Sequence, residues 1–325
     1  MRFAILGCGG IARTMATTVV HMNDVQPYAV ASRDTEKAKA FAGAFGFEKA
    51  YGSYEEMLSD DNIDLVYIAV PHSHHHQWTM AALNAGRNVI CEKPFAVNEK
   101  QVREMIELSE KKNRLVTEAI WTRYMPSRRI ITELIEQGTI GRLHTLSANL
   151  GYRINMKERM IRPELAGGCL LDLSVYTLNF ASMVWGDDIR RINASCVMTD
   201  TGVDGQDNIM IEYHDGRMAN MFTSMYCLTN RMGVICGEEG FIEVQNINNP
   251  EEIRVYSPDR NSPKLIKQIS VPEQITGFEY EVASCKKAIE EGRIECPEMP
   301  HSQIIQITCQ MDTIRKQFGI KYPFE

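Results

Sequence analysis

Phe3-Ala4-Ile5-Leu6-Gly7-Cys8-Gly9-Gly10-Ile11-Ala12 decides the fold. A short apolar run breaks directly into Gly7-x-Gly9-x-x-Ala12, and a helical pattern continues through Met15, Val19 and Val20. A strand that opens into a glycine loop and then a helix makes a phosphate site. Gly7 permits the tight turn, Gly9 lets backbone N–H groups approach a pyrophosphate, and Ala12 lets helix and strand pack closely. Gly10 and Ile11 lie at the helix N-terminus, whose partial positive charge favours a diphosphate. A glycine loop alone also fits a plain structural turn, so the second strand of the pattern has to decide.

That second apolar run, Tyr28–Ala31, ends at Ser32-Arg33-Asp34, the expected ribose position. An acid at this strand end suits the 2′-hydroxyl of NAD, whereas an arginine suits a 2′-phosphate. Arg33 offers a planar, bidentate phosphate contact, Lys37 adds a second positive charge one turn later, and Ser32 shares the tip. NADP(H) is therefore expected over NAD(H), with NAD as the alternative. The bland counter-reading makes Arg33 a solvated charge and Asp34 a helix N-cap.

A chain of 325 residues with 44% hydrophobic content is long enough for two domains. The net charge of −7, without a basic block, argues against nucleic acid as a partner. Nine scattered cysteines without a C-x-x-C pair fit a reduced, intracellular protein. Met1 leads straight into the first strand and no apolar stretch is long enough to span a bilayer, so a cytoplasmic protein with no membrane partner is expected.

Apolar runs at 2–6, 27–31, 64–70, 88–91 and 115–119 alternate with helical patterns at 10–21, 35–45, 54–59, 74–85 and 99–112, with Asp34 and Asn98 as N-caps. Runs that do not alternate in polarity suit parallel strands buried on both faces. This is the doubly wound α/β pattern, predicting a Rossmann domain over 1–121 with ligand beyond the strands' carboxyl ends. From about 143 the segments shorten and alternate: 143–151, 193–199, 208–213, 217–224, 241–244 and 253–256, with His214-Asp215-Gly216 as a hairpin turn. A helical stretch at 301–318 closes the chain. The sequence thus predicts a second, α+β domain over 122–325, built on a large, mainly antiparallel sheet.

Candidate chemistry lies at two places. Cys91-Glu92-Lys93-Pro94 ends an inferred strand, on the ligand side of a doubly wound sheet. Gly167-Gly168-Cys169-Leu170-Leu171-Asp172-Leu173-Ser174-Val175-Tyr176-Thr177-Leu178-Asn179 reads as a helix on which Asp172, Tyr176 and Asn179 share one face. An acid, a phenol and an amide beside a distant lysine form a proton-transfer group. A tyrosine with its ordinary pKa of about 10 needs a neighbouring cation to serve as a base at neutral pH, and Lys93 is the candidate. On spacing alone, a packing tyrosine and a solvated aspartate remain equally open.

The glycine loop, Glu92-Lys93-Pro94 and Asp172-x-x-x-Tyr176-x-x-Asn179, in this order, resemble the Gfo/Idh/MocA family of oxidoreductases. Glu118-Ala119-Ile120-Trp121-Thr122-Arg123-Tyr124-x-Pro126, Gly167-Gly168-x-Leu170-Leu171-Asp172 and Gly277-Phe278-Glu279 are similar to its dihydrodiol and D-xylose dehydrogenase branch. The resemblance covers nearly the whole chain. It implies a Rossmann domain and an α/β domain whose open sheet forms homodimer or homotetramer contacts. It also implies that Lys93 orients the reacting hydroxyl, Tyr176 is the acid/base and Asp172 orders the substrate. Glu92 and Asn179 would line the cofactor and substrate region, Pro94 would follow a cis peptide that aims Lys93, and Trp121, Arg123 and Phe278 would line the pocket. Ser174 departs from a common glycine, and Ala166 and Cys169 flank the glycine pair; these changes bear on pocket shape and so on substrate.

His72, His74, His75 and His76 come after Pro71 in a cluster that matches no ordinary zinc spacing, so no metal is expected. The resemblance places Pro71, His72 and His75 beside the cofactor; the bland reading makes the cluster a solvent-facing helix cap. Two functions are then open. One is an NADP-dependent oxidoreductase acting on a secondary alcohol or carbonyl of a sugar, polyol or cyclic diol; the other is a non-catalytic dinucleotide sensor of the same fold. An intact Lys93, Asp172 and Tyr176 favour the enzyme, since a sensor has no need of a proton-transfer group.

Overall fold

In the computed structural model, which describes residues 1–259 and 261–325, the opening run forms β1 (Arg2–Leu6) and the glycine loop leads into α1 (Gly10–Val20). The alternation continues through β2 (Gln26–Ala31), α2 (Thr35–Phe45), β3 (Lys49–Tyr51), α3 (Tyr54–Leu58), β4 (Leu65–Ile68), α4 (His75–Asn84), β5 (Asn88–Glu92), α5 (Glu99–Lys112) and β6 (Val116–Ala119). These six strands make one parallel sheet in the order β3-β2-β1-β4-β5-β6. Every residue of β4, and Phe3 to Leu6 of β1, is buried, which is why these strands read as unbroken apolar runs. The strand order reverses between β1 and β4, where a doubly wound sheet opens a crevice for ligand.

Side chains set the helix starts as expected. Asp34 Oδ1 accepts from the Glu36 and Lys37 N–H groups at 3.0 and 3.1 Å, and Asn98 Oδ1 accepts from Gln101 N–H at 3.0 Å. The sequence reading lacks β3, which has only three half-buried residues and leaves no apolar run.

Beyond Tyr124 the architecture changes. After α6 (Pro126–Glu136) come β7 (Leu143–Gly151), α7 (Glu158–Ile161), α8 (Val175–Trp185), β8 (Ile189–Met198), β9 (Asp204–Tyr213) and β10 (Met218–Ser224). The last strands are β11 (Gly233–Gly237), β12 (Gly240–Gln245), β13 (Glu252–Tyr256) and β14 (Leu265–Ser270). Together they form an eight-stranded sheet in the order β14-β13-β12-β11-β7-β10-β9-β8, antiparallel except where β7 and β10 run side by side. One face packs on α8 and the turn before it. The other meets solvent, so β10 alternates exposed Met218, Asn220 and Phe222 with buried Ala219, Met221 and Thr223. The sequence reading lacks β11 and β14, the latter an exposed edge strand without alternation.

The chain divides into two compact units, Met1–Tyr124 with Gln274–Ile305, and Met125–Glu273 with Gln306–Glu325. The sequence places 274–305 wholly in the second domain; in the structure it returns to the first unit. There α9 (Glu279–Glu290) buries Val282, Cys285 and Ala288, and the chain beyond it reaches β6, where Val116 N–H donates to Ile294 O at 3.0 Å. His301, which opens α10 (His301–Phe318), places Nε2 3.0 Å from Val116 O. These long-range contacts leave no trace in local sequence pattern. No helix among the described residues is long and apolar enough to cross a membrane.

Candidate active site

The glycine loop has the geometry its sequence implies. Gly7 sits at φ +114°, and a Cβ there would lie 2.5 Å from Ala69 O, so only glycine fits between β1 and the end of β4. Nothing lies within 4 Å of where Gly9 or Gly10 would carry a Cβ. No side chain caps α1, whose N-cap is Gly9, so its first-turn N–H groups face open space beside half-exposed Ile11. Open space over uncapped amides fits a dinucleotide pyrophosphate. Ala12 is fully buried beneath them.

At the tip of β2, Ser32 Oγ accepts from Asp34 N–H at 3.2 Å, and Asp34 is occupied as the α2 cap. Arg33 is exposed beside Tyr54, where its charge offsets part of the rise that burial causes in the phenol's pKa, while Tyr54 packs edge-on against Trp78 with ring centroids 4.7 Å apart. Burial lowers the pKa of His74, and the Arg33 charge lowers it further. Lys37 is exposed on the first turn of α2. The tip therefore presents exposed cations, Arg33 and Lys37.

The histidines divide among separate partners. His75 is fully buried between the loop after β4 and the loop after β5, with Nδ1 2.7 Å from Pro94 O and Nε2 2.9 Å from Val70 O. Burial pushes its pKa down to about 3, so the ring is neutral and its single N–H donates to one of these carbonyls. His72 meets His75 edge-on at 5.7 Å, and His76 pairs with Glu104 at 2.8 Å. Pro71 starts this loop.

At the end of β5 the Lys93–Pro94 peptide is cis. Glu92 accepts from the Tyr67 hydroxyl and from Lys93 N–H at 3.2 Å. The next turn is held by Glu118 on β6, whose Oε1 accepts from Phe95 N–H at 2.9 Å. Burial pushes the Glu118 carboxyl up to about 7, offset in part by that hydrogen bond and by Arg123. Glu281, on α9, is fully buried with both carboxylate oxygens lacking a hydrogen-bond partner, and burial holds it well above the usual carboxylate range. A neutral acid so close to the Lys93 loop has no signal in the sequence beyond its place four residues after Gly277. Trp121 stacks on Phe278 with centroids 4.3 Å apart and planes 16° from parallel. Arg123 is turned inward, 2% exposed, and donates to Gln303 Oε1 at 3.2 Å.

In the second unit, Asp172 and Tyr176 do not share one α-helix: Tyr176 is the second residue of α8, and Asp172 precedes it. Leu170–Ser174 is a π-helical turn leading into α8. Asp172 is 3% exposed and held bidentately by Arg159, Nη1 to Oδ1 at 2.6 Å and Nη2 to Oδ2 at 3.2 Å. Sequence reading omits Arg159; α7 brings it in from thirteen residues away, and a Cβ on Gly167 would collide with the Arg159 and Met160 carbonyls. Tyr176 is 9% exposed, and Asn179 is fully buried with its amide donating to Val175 O at 2.8 Å.

Comparison with known proteins agrees with this geometry. Residues 1–120 match the family described as "Oxidoreductase family, NAD-binding Rossmann fold", and 129–243 match "GFO/IDH/MocA C-terminal domain". The chain belongs to the Gfo/Idh/MocA family. As a member of that family it is an oxidoreductase with a nicotinamide-dinucleotide-binding domain. It is 32% identical over 99% of both chains to trans-1,2-dihydrobenzene-1,2-diol dehydrogenase of Xenopus tropicalis, and 31% identical to that of Mus musculus over 99% of this chain and 98% of the relative. Its fold is shared with a 3-ketoreductase from Actinomadura kijaniata solved with NADP and TDP-benzene, at TM-score 0.88 and 22% identity over 98% of this chain and 97% of the other. An aldose-aldose oxidoreductase from Caulobacter crescentus has TM-score 0.87 at 21% identity, with the same shares of both chains covered.

Proposed function

We propose that this Gfo/Idh/MocA protein is an NADP(H)-dependent dehydrogenase or reductase acting on a secondary alcohol, or the matching carbonyl, of a sugar, polyol or cyclic diol. The observation that carries the reading is that Lys93, Asp172 and Tyr176 all stand in a chain about one-third identical, end to end, to enzymes named diol dehydrogenases. Bound nicotinamide supplies the hydride chemistry. The protein's task is to hold the substrate C–H bond in line and to manage the hydroxyl proton. Tyr176 takes that proton during oxidation and returns it during reduction. The Lys93 ammonium orients the hydroxyl and makes the phenolate less costly. Asp172, its oxygens fixed by Arg159, orders the substrate, and the Trp121–Phe278 stack offers an apolar wall. Glu92, Glu118 and His75 act through the loop that carries Lys93.

The coenzyme preference rests on Arg33. With Asp34 engaged as a helix cap and an exposed arginine beside it, the tip suits a 2′-phosphate better than a ribose hydroxyl. Homodimers or homotetramers are proposed to form on the solvent face of the eight-stranded sheet, where Met218 and Phe222 of β10 are 42% and 49% exposed and Val197 of β8 is 54% exposed.

The test is NADP+ reduction, and NADPH oxidation in reverse, against aldoses, polyols, trans-diols and their carbonyl counterparts. Tyr176→Phe and Lys93→Ala serve as paired controls. Turnover that each variant lowers by about 10²- to 10⁴-fold, with NADP(H) affinity retained, is the expected result. Tight NADP(H) binding with no turnover in either direction would favour a sensor instead.

A further inference from the structure

A single strand ties both ends of the turn that carries Asp172. Leu170 N–H, at its start, donates to Asp204, and Ser174 Oγ, at its end, donates to Asp207 Oδ2 at 2.7 Å. The Thr223 hydroxyl lies 2.6 Å from Ser174 Oγ and 3.4 Å from the same Asp207 oxygen. Asp204 and Asp207 lie three positions apart on β9, a spacing that would put them on opposite faces of a regular strand. The β8–β9 register slips here: Val197 pairs with Gln206 and Met198 with Asp204, which leaves Gly205 as an extra residue. That bulge turns both carboxyls to the same side. Gly168, at φ +117°, lets Asp204 approach, since any Cβ there would collide with its carboxyl.

Both aspartates are at most 1% exposed, and the Oδ1 atom of each has no other hydrogen-bond partner. Two ionised carboxylates cannot share a dry site, but one proton between them satisfies both orphaned oxygens. We propose that Asp207 carries a proton that it donates to Asp204, and that this acid–carboxylate pair positions the Leu170–Ser174 turn and with it Asp172. The inference rests on the reading of Asp172 as a substrate-ordering group. Ser174, which departs from the family's common glycine, is the residue that links the pair to the end of the turn just before Tyr176.

The groups facing the pair leave this assignment intact. Cys169 comes from the approach to the turn, with Asp172 also acting on it; Cys196 comes from β8, Tyr226 from beyond β10, and Tyr322 from the C-terminal segment. Burial pushes each of these thiols and phenols up, so they are neutral at pH 7 and supply no positive charge. Burial also pushes both aspartates up, Asp204 to about 6, and the Asp204 charge raises Asp207 further.

Two measurements on the full chain test the pair, and neither needs a substrate. The first is unfolding free energy between pH 6.5 and 9 for the wild type, Asp207→Asn and Asp204→Asn. The wild type should lose stability with rising pH, and each amide variant should bind one proton fewer on folding; having two variants guards against one failing to fold. The second is hydrogen exchange of the peptides spanning 168–176. The wild type should lose protection of this turn at alkaline pH by roughly tenfold, as expected for a broken buried hydrogen bond, while Asp207→Asn keeps it to pH 9. Ser174→Ala should loosen the turn at every pH and leave the proton count unchanged. An unchanged proton count in both amide variants, or exchange in the turn that does not respond to pH, overturns the proposal. Failure of the dehydrogenase reading would appear separately, as absent turnover across the substrate panel.

Discussion

Arg33 and Asp34 are neighbours in sequence with opposite duties. Asp34 spends its carboxylate on the first turn of α2, and Arg33 faces outward against Tyr54. Replacing Asp34 by Ala should therefore cost about 1 kcal/mol of stability, the ordinary worth of an N-cap, and leave the ratio of NADP+ to NAD+ affinity unchanged. Arg33→Ala should instead weaken NADP+ by about 10- to 100-fold with little effect on NAD+, the range of a lost charged hydrogen bond. Titration calorimetry with both coenzymes reads the two effects, and an Asp34→Ala variant that shifts the ratio would restore the acid as a ribose ligand. Glu118 gives a pH prediction. Its folded pKa of about 7 lies above the ordinary 4.5, so the native state holds a proton that the unfolded chain releases. Stability from this group is complete below about pH 4.5 and falls as pH rises toward 7, by roughly 3 kcal/mol in total. Glu118→Gln keeps an acceptor for Phe95 N–H and should flatten that slope in denaturation measured from pH 4.5 to 8; an unaltered slope would move the proton elsewhere. At this scale the sequence is legible where a residue's duty is local, as for the helix N-caps Asp34 and Asn98. Arg159 and Glu281 are not legible, because the first gains its meaning from a partner on another element and the second from being buried without one.

Among the elements, the strands that are easiest to read are those buried on both faces. Their apolar runs leave no choice of side, so β1, β4 and β5 stand out while β3, β11 and β14 do not. The Asp172 segment teaches a different lesson. Its spacing suggests an ordinary helix, yet the turn is π-helical, because contacts from β9 at Leu170 and Ser174 fix its ends and local propensity cannot express them. The glycine loop, by contrast, is legible in its pattern, since the positive φ at Gly7 is a local demand that glycine meets. Gly7→Ala should lower thermal stability and abolish coenzyme binding together, because the new methyl group meets Ala69 O and the backbone must hold φ +114°. Fluorescence titration with NADPH, alongside a melting curve, checks both; near-normal binding would mean that the loop does not hold the pyrophosphate.

For the whole molecule, the open face of the eight-stranded sheet sets the first expectation. Phe222→Asp places a charge in the middle of its exposed apolar residues without touching the buried side of β10. Sedimentation should then show a lower oligomer than the wild type, with the fold intact by circular dichroism; equal sizes would place the contact elsewhere. The sheet that each unit is built on can be read from the sequence, but the route of the chain cannot. The shortest continuous piece that contains all of the first unit runs from Met1 to Ile305, and so carries nearly all of the second with it. Neither half is a cassette. A recombination breakpoint near residue 121 would part Trp121 from the Phe278 ring on which it stacks, and β6 from the segment that Val116 bonds. Exchange of the second unit between such genes therefore has to replace two separate stretches, 125–273 inside the chain and 306–325 at its end, around a host segment 274–305 that stays with the first unit.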